Sequence, residues 1–115
     1  MIIAVDFDGI LAEYGEWKGH EHIGKPIKEN IEMVKKLHKD GHKLILFTTR
    51  LNCSWDGSDY SYEERLKIIQ EWLKKQKIWD AFTDITSEKP YADIYWDDRA
   101  VSTLKELGRK LKERR

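Results

Sequence analysis

The run Ile2-Ile3-Ala4-Val5 constrains this chain more than any other stretch: four consecutive apolar residues, three of them β-branched, suit a strand covered on both faces. Strands of that kind belong to parallel sheets, and parallel strands need a crossover, usually a helix, between them. The following sequence supplies one. Ile27, Ile31, Val34 and Leu37 recur at helical spacing from Pro26, a good first helical residue, and Gly41 ends the pattern. A second continuous apolar run, Leu44-Ile45-Leu46-Phe47, comes next. Ser61-Tyr62-Glu63-Glu64 then reads as a capping box opening a helix through Leu66, Ile69 and Leu73. Ala81 to Thr86 and Ala92 to Trp96 read as two more strands. A last helical stripe of Leu104, Leu107 and Leu111, with Ser102 or a neighbour as cap, ends in basic residues as the helix dipole favours.

Three of these strands finish on polar residues. The first exits into Asp6-Phe7-Asp8-Gly9. Side chains alternate along extended backbone, so Asp6 and Asp8 converge on one side while Phe7 turns toward the core. In open α/β sheets ligands collect beyond the carboxyl ends of strands. Two carboxylates so close need a counterion, a shared proton or water, and a hard divalent cation with oxygen ligands meets that need. The second strand exits into Thr48-Thr49-Arg50, offering hydroxyls and a guanidinium. Ile94-Tyr95-Trp96 runs into a second acidic pair, Asp97-Asp98. Just upstream, Pro90 biases Lys89 toward extended backbone on the approach to the same sheet edge.

In chain order these pieces resemble the four motifs of the haloacid dehalogenase-like superfamily: Asp6-Phe7-Asp8-Gly9-Ile10 the first, Thr48 the second, Lys89 the third and Asp97-Asp98 the fourth. The resemblance covers nearly the whole chain. Ile10 departs from the Thr or Val usual at its position, which leaves the carboxylates untouched and bears on the local loop geometry. The resemblance implies an α/β fold, a three-layer Rossmann-like sandwich with a mainly parallel sheet. It forms one domain over residues 1–115 without the substrate-gripping cap of larger members.

The activity it implies is a Mg²⁺-dependent phosphatase, with Asp6 as nucleophile forming an aspartyl phosphate and Asp8 as general acid, then base. Thr48 and Lys89 would steady the phosphoryl oxygens. Mg²⁺ would be held by Asp6, Asp97 and the backbone carbonyl of Asp8. Asp98 either holds a metal-bound water, orients Lys89 or caps the next segment, and Arg50 is either a second phosphate contact or an ordinary ion pair. Two other readings stand beside the phosphatase. One is a phosphotransferase, which differs in whether water or another hydroxyl attacks the intermediate. The other is a silent phosphate- or metal-binding module, which would be expected to have lost Asp6, Asp8 or Lys89.

Residues 11–25 and 51–60 are left to shape an entrance. The first holds Tyr14, Trp17, Lys18, His20 and His22, suited to a short flap, and the second Asn52, Trp55, Asp59 and Tyr60. His20-Glu21-His22 offers ligands to zinc, but neighbours in one hairpin cannot complete a tetrahedral set. Lys plus Arg and Asp plus Glu are equal at 21 each, so no global field recruits nucleic acid or an anionic membrane. The single Cys53 cannot form an internal disulfide. Met1 leads straight into the first strand, and no apolar run approaches bilayer length, so the expected location is cytoplasmic. The expected partner is a phosphorylated substrate whose identity these residues do not choose, with a homo-oligomer left open.

Overall fold

Hydrophobic runs and helical stripes alternate in the folded chain as they do in the sequence. The computed structural model describes residues 1–54, 57–97 and 104–113. Its elements are β1 (Ile2–Asp6), α1 (Lys28–Lys39), β2 (Lys43–Phe47), α2 (Tyr62–Lys75), β3 (Phe82–Thr86), β4 (Ile94–Trp96) and α3 (Leu104–Glu113). Short 3₁₀ turns at Thr49–Leu51 and Trp79–Ala81 follow β2 and precede β3. All strands pair in parallel, in the order β3-β2-β1-β4, and helices flank the sheet in a three-layer Rossmann-like α/β sandwich. Because β1 is paired on both edges and covered on both faces, Ile3, Ala4 and Val5 are all buried, which is what its uninterrupted apolar run requires.

The core is continuous from β1 to the helices. Phe7, Val34, Leu37, Leu44, Leu46, Ile69, Leu73 and Trp96 lie in it, and Leu107 of α3 joins them. The Ser61 capping box forms in full, the Ser61 side chain accepting from the Glu64 N–H while the Glu64 carboxylate accepts from the Ser61 N–H. No domain is inserted among the described residues, and none of their helices is long and apolar enough to cross a membrane. Residues 87–93 carry the chain from the β3 edge of the sheet to the β4 edge without a helix. Asp93 fixes their far end, its N–H donating to the Ile2 carbonyl at 2.8 Å and its carboxylate accepting from the Ile2 N–H at 2.8 Å.

The first crossover begins later than its proline signal indicates. Helix α1 starts at Lys28, with Ile27 as its N-cap residue. Pro26 instead pairs with Ala12 across an antiparallel bridge. Two further bonds close this neck, Glu13 N–H to the Lys25 carbonyl and Ile27 N–H to the Leu11 carbonyl, both at 2.8 Å. Residues 14–24 therefore leave and rejoin the fold through one gate, as an Ω-type flap. The Pro26 ring suits an edge position with no N–H to contribute, which is why a helix-start residue serves a strand-like neck here.

Two tests bear on these local devices. A Cβ added at Gly24 would lie 1.9 Å from the Glu13 carbonyl oxygen, so Gly24→Ala should force the neck apart and cost about 1–3 kcal/mol. Urea unfolding of the two proteins checks it, and an unchanged midpoint would contradict the closed neck. The Glu64 carboxyl is held below its ordinary 4.5, first by the Ser61 backbone N–H and then by the Ser61 side chain. A depressed folded value means that the box stabilises α2 above the ordinary value and weakens as pH falls through the lowered one. Glu64→Gln should flatten that part of the acid limb of thermal stability, and an identical pH profile would count against the box.

Candidate active site

Strand register assembles the site. Asp6 ends β1 opposite Phe47 of β2, and Val5, one residue before it, pairs with Trp96 of β4. Thr48 follows Phe47 and Asp97 follows Trp96, so Asp6, Thr48 and Asp97 leave neighbouring parallel strands along one carboxyl edge. Adjacent strands stand about 4.8 Å apart, which brings groups at their ends within reach of one small ligand. The loop after Asp6 is tightly held. Leu11 and Ala12 N–H groups converge on the Phe7 carbonyl at 2.9 and 3.2 Å, and Gly9, at φ +87°, donates to the Ala12 carbonyl at 2.8 Å. Only glycine enters that backbone region without strain. Phe7 turns inward against Trp72, ring centroids 5.1 Å apart, as the alternation predicts.

Asp6 points back onto its own loop, one oxygen accepting from the Phe7 N–H at 2.8 Å. The Thr48 hydroxyl accepts from the Arg50 N–H at 3.2 Å, capping the turn Thr49–Leu51, and its own proton remains a donor. Lys89 is exposed, with Nζ 4.9 Å from the ring centroid of Tyr95. The Tyr95 hydroxyl donates to the Pro90 carbonyl at 2.7 Å, so Lys89 hangs beside β4 two residues short of Asp97. Asp98 lies outside the described residues, as do Trp55 and Ser102.

Asp8 is committed differently from the other carboxylates. Arg50 Nε donates to one of its oxygens at 2.7 Å and Nη2 to the other at 2.9 Å, a two-point fork in which the Arg50 side chain is only 3% exposed. The same guanidinium donates to the carbonyls of His20 at 3.2 Å and His22 at 3.1 Å. It also stacks near Trp17 and Phe7, 4.9 and 5.5 Å from their ring centroids. Arg50 is thus a buried ion pair that staples the flap. Four of its five donors are engaged in this way, which leaves little for the contact to phosphate weighed from the sequence.

Among the described residues no cluster of three His, Cys, Asp or Glu side chains stands ready for a metal ion. What the strand ends offer a cation is narrower: the carboxylates of Asp6 and Asp97 and the Asp8 carbonyl. That hard oxygen set suits Mg²⁺, which keeps several waters and takes few protein ligands. No zinc group forms at His20-Glu21-His22. The His20 ring is buried between Trp17 and Tyr60, with centroids at 4.9 and 5.0 Å, and it is the carbonyls of both histidines that the fold uses. Tyr60 has its pKa raised above 10.0, first by desolvation and then by a hydrogen bond to Glu21, a contact that links flap and second loop.

Two residues matter here that carried no weight in the sequence. Arg65 on α2 is buried and donates to the carbonyls of Tyr60 at 2.9 Å, Asn52 at 3.1 Å and Arg50 at 3.4 Å, holding the loop after β2. Its signal was available, since Arg65, Ile69 and Leu73 form one stripe four residues apart. Asn30, also buried, donates to the Ile10 carbonyl at 2.8 Å and fixes the first loop from α1. Ile10 itself is a core residue, so the departure at that position supplies packing rather than disturbing the loop. An open cleft of about 550 Å³ is lined by the flap and its neck, including Glu13, Tyr14, Glu16, Lys18 and His22, and by Arg50; Asp6, Asp8, Thr48, Lys89 and Asp97 are not among its lining residues.

Compared with protein families and with curated proteins, the sequence finds no match. Among solved structures it is similar to one described as a conserved protein of Bacteroides thetaiotaomicron, at 26% identity and a TM-score of 0.68. The alignment covers 100% of this chain and 92% of that one, so the likeness embraces the whole sandwich.

Removing the Asp8 carboxylate would leave a buried guanidinium without its counterion. Asp8→Ala should therefore lower unfolding stability by about 3–5 kcal/mol, and Asp8→Asn by less because the amide oxygen still accepts. Urea denaturation measures both, and a wild-type midpoint for Asp8→Ala would show that the fork contributes nothing.

Proposed function

We propose that this chain is a Mg²⁺-dependent phosphatase of the haloacid dehalogenase-like type, acting on phosphate monoesters through an aspartyl phosphate on Asp6. The observation that carries the reading is the register of the sheet, which sets Asp6, Thr48 and Asp97 at adjacent strand ends with Asp8 two residues beyond Asp6. An Asp6 oxygen attacks phosphorus as the bond to the leaving oxygen breaks, and the leaving oxygen takes the proton of an Asp8 carboxyl that enters the step in its acid form, its oxygens still accepting from Arg50. Water then attacks phosphorus, gives its proton to Asp8 and releases Asp6 and phosphate. Splitting the displacement lets one carboxylate serve as acid and then as base. When bound by Asp6, Asp97 and the Asp8 carbonyl, Mg²⁺ would offset the repulsion between Asp6 and the phosphoryl oxygens.

Thr48 donates its hydroxyl to a phosphoryl oxygen, and Lys89 leaves the Tyr95 ring to neutralise another, its flexible stem allowing the swing. The open cleft and the absence of an inserted domain among the described residues suit a phosphate on a large or projecting group. The exposed free thiol of Cys53 fits a reducing compartment, and we place the protein in the cytoplasm on this reading.

Release of phosphate from p-nitrophenyl phosphate at near-neutral pH tests the proposal. Turnover should appear with Mg²⁺, disappear with EDTA and fall to background in Asp6→Asn. Metal-independent turnover that survives Asp6→Asn would remove Asp6 as nucleophile, and a silent wild-type chain across a panel of phosphorylated metabolites would leave no phosphatase to explain.

A further inference from the structure

The Asp8–Arg50 fork is an odd device if its only task is stability. A buried ion pair costs so much desolvation that well-packed apolar residues often replace it without loss. Arg50 is nevertheless built in with care. The turn Thr49–Leu51, capped by Thr48, drives its side chain inward. Arg65 grips its carbonyl from α2, and the rings of Trp17 and Phe7 flank its guanidinium. Four hydrogen bonds then occupy Nε, Nη1 and Nη2, two to Asp8 and two to flap carbonyls. Of the five N–H donors a guanidinium has, four are spoken for, so the side chain is a bracket rather than a ligand for substrate.

What the bracket holds is chemically uneven. On one side is the carboxylate that, on the reading above, must exchange protons with the leaving oxygen and with water. On the other is the stem of a flap whose residues line an open cleft that reaches Arg50 itself. Both carboxylate oxygens are fixed in one plane by a two-point contact that lysine cannot reproduce. We propose that Arg50 is a positioning residue for proton transfer: it aims Asp8 and ties that aim to the seating of the flap. The inference rests on the phosphatase reading and adds to it a residue that touches neither phosphate nor metal. Because proton transfer depends on distance and direction, loosening the fork should hurt chemistry more than binding.

The test compares Arg50→Lys, Arg50→Gln, Asp8→Asn and the double variant Arg50→Lys/Asp8→Asn, each with p-nitrophenyl phosphate and with a simple alkyl phosphate monoester. Nitrophenolate leaves without a proton, whereas an alkoxide does not. Loss of kcat/KM, which reports the first phosphoryl transfer and not the shared attack by water, should be about tenfold or more greater on the alkyl ester in the Arg50 variants, and the double variant should lose no more than Asp8→Asn alone. Backbone amides of residues 19–24 should exchange faster in both Arg50 variants, a readout independent of turnover. Equal losses of kcat/KM on both esters, or losses that multiply in the double variant, would overturn the positioning role and return Arg50 to the fold. Unchanged exchange in the flap would overturn its link to Asp8. A wild-type chain without turnover would overturn the phosphatase reading itself, and is distinguished from the other outcomes because no variant is needed to see it.

Discussion

One buried guanidinium organises the working edge of this protein. Arg50 meets Asp8 with two donors and the flap carbonyls with two more, so three segments distant in sequence become one rigid corner. The arrangement is self-limiting. A charge this deeply buried is tolerable only with its partner in place and its other donors engaged, and the fold gives two of them to backbone carbonyls. Flap carbonyls are therefore part of what makes the ion pair affordable, and the ion pair is part of what gives an eleven-residue stretch, residues 14–24, a single conformation.

Everything upstream of that corner follows from the parallel sheet. Parallel strands all discharge their residues at the same edge, so acids and hydroxyls scattered along the chain become neighbours without any further device. The second buried arginine extends the logic to the other entrance loop. Arg65 reaches three carbonyls from a helix whose start is set by the Ser61 box, which couples the phase of α2 to the loop that carries Arg50. Asn30 does the same from α1 for the loop that carries Asp8. Each crossover helix thus contributes one polar side chain to hold one site loop.

The sheet and its carboxyl edge were legible in the sequence because hydrophobic period and strand-end chemistry are local signals. Continuous apolar runs named β1 and β2, and the Ser61-to-Glu64 spacing named a helix start that the fold reproduces. The corner was not legible. A guanidinium after a strand looks the same in sequence whether it faces phosphate or a carboxylate 42 residues earlier, since only the folded distance decides. Pro26 misled for a related reason: its local preference for a helix start was outweighed by the neck that Ala12 and Lys25 complete. Arg65 was hidden by habit more than by physics, since an arginine in line with Ile69 and Leu73 faces inward however polar it is.

On the phosphatase proposed above, a capless sandwich would have to obtain selectivity from what little surrounds its strand ends, and here that entrance is held at several points. The flap is held at the neck by backbone pairing, at its stem by Arg50 and across to the second loop by the Glu21–Tyr60 contact. Side chains that line the cleft, Tyr14 and Lys18 among them, project from that fixed frame. On that proposal specificity could change by substituting projecting residues while the bracket and strand ends stay as they are, because the two sets share no side chain except Arg50. That division explains why the flap is anchored through carbonyls: a backbone anchor survives any substitution at His20 or His22 that leaves the local chain path intact.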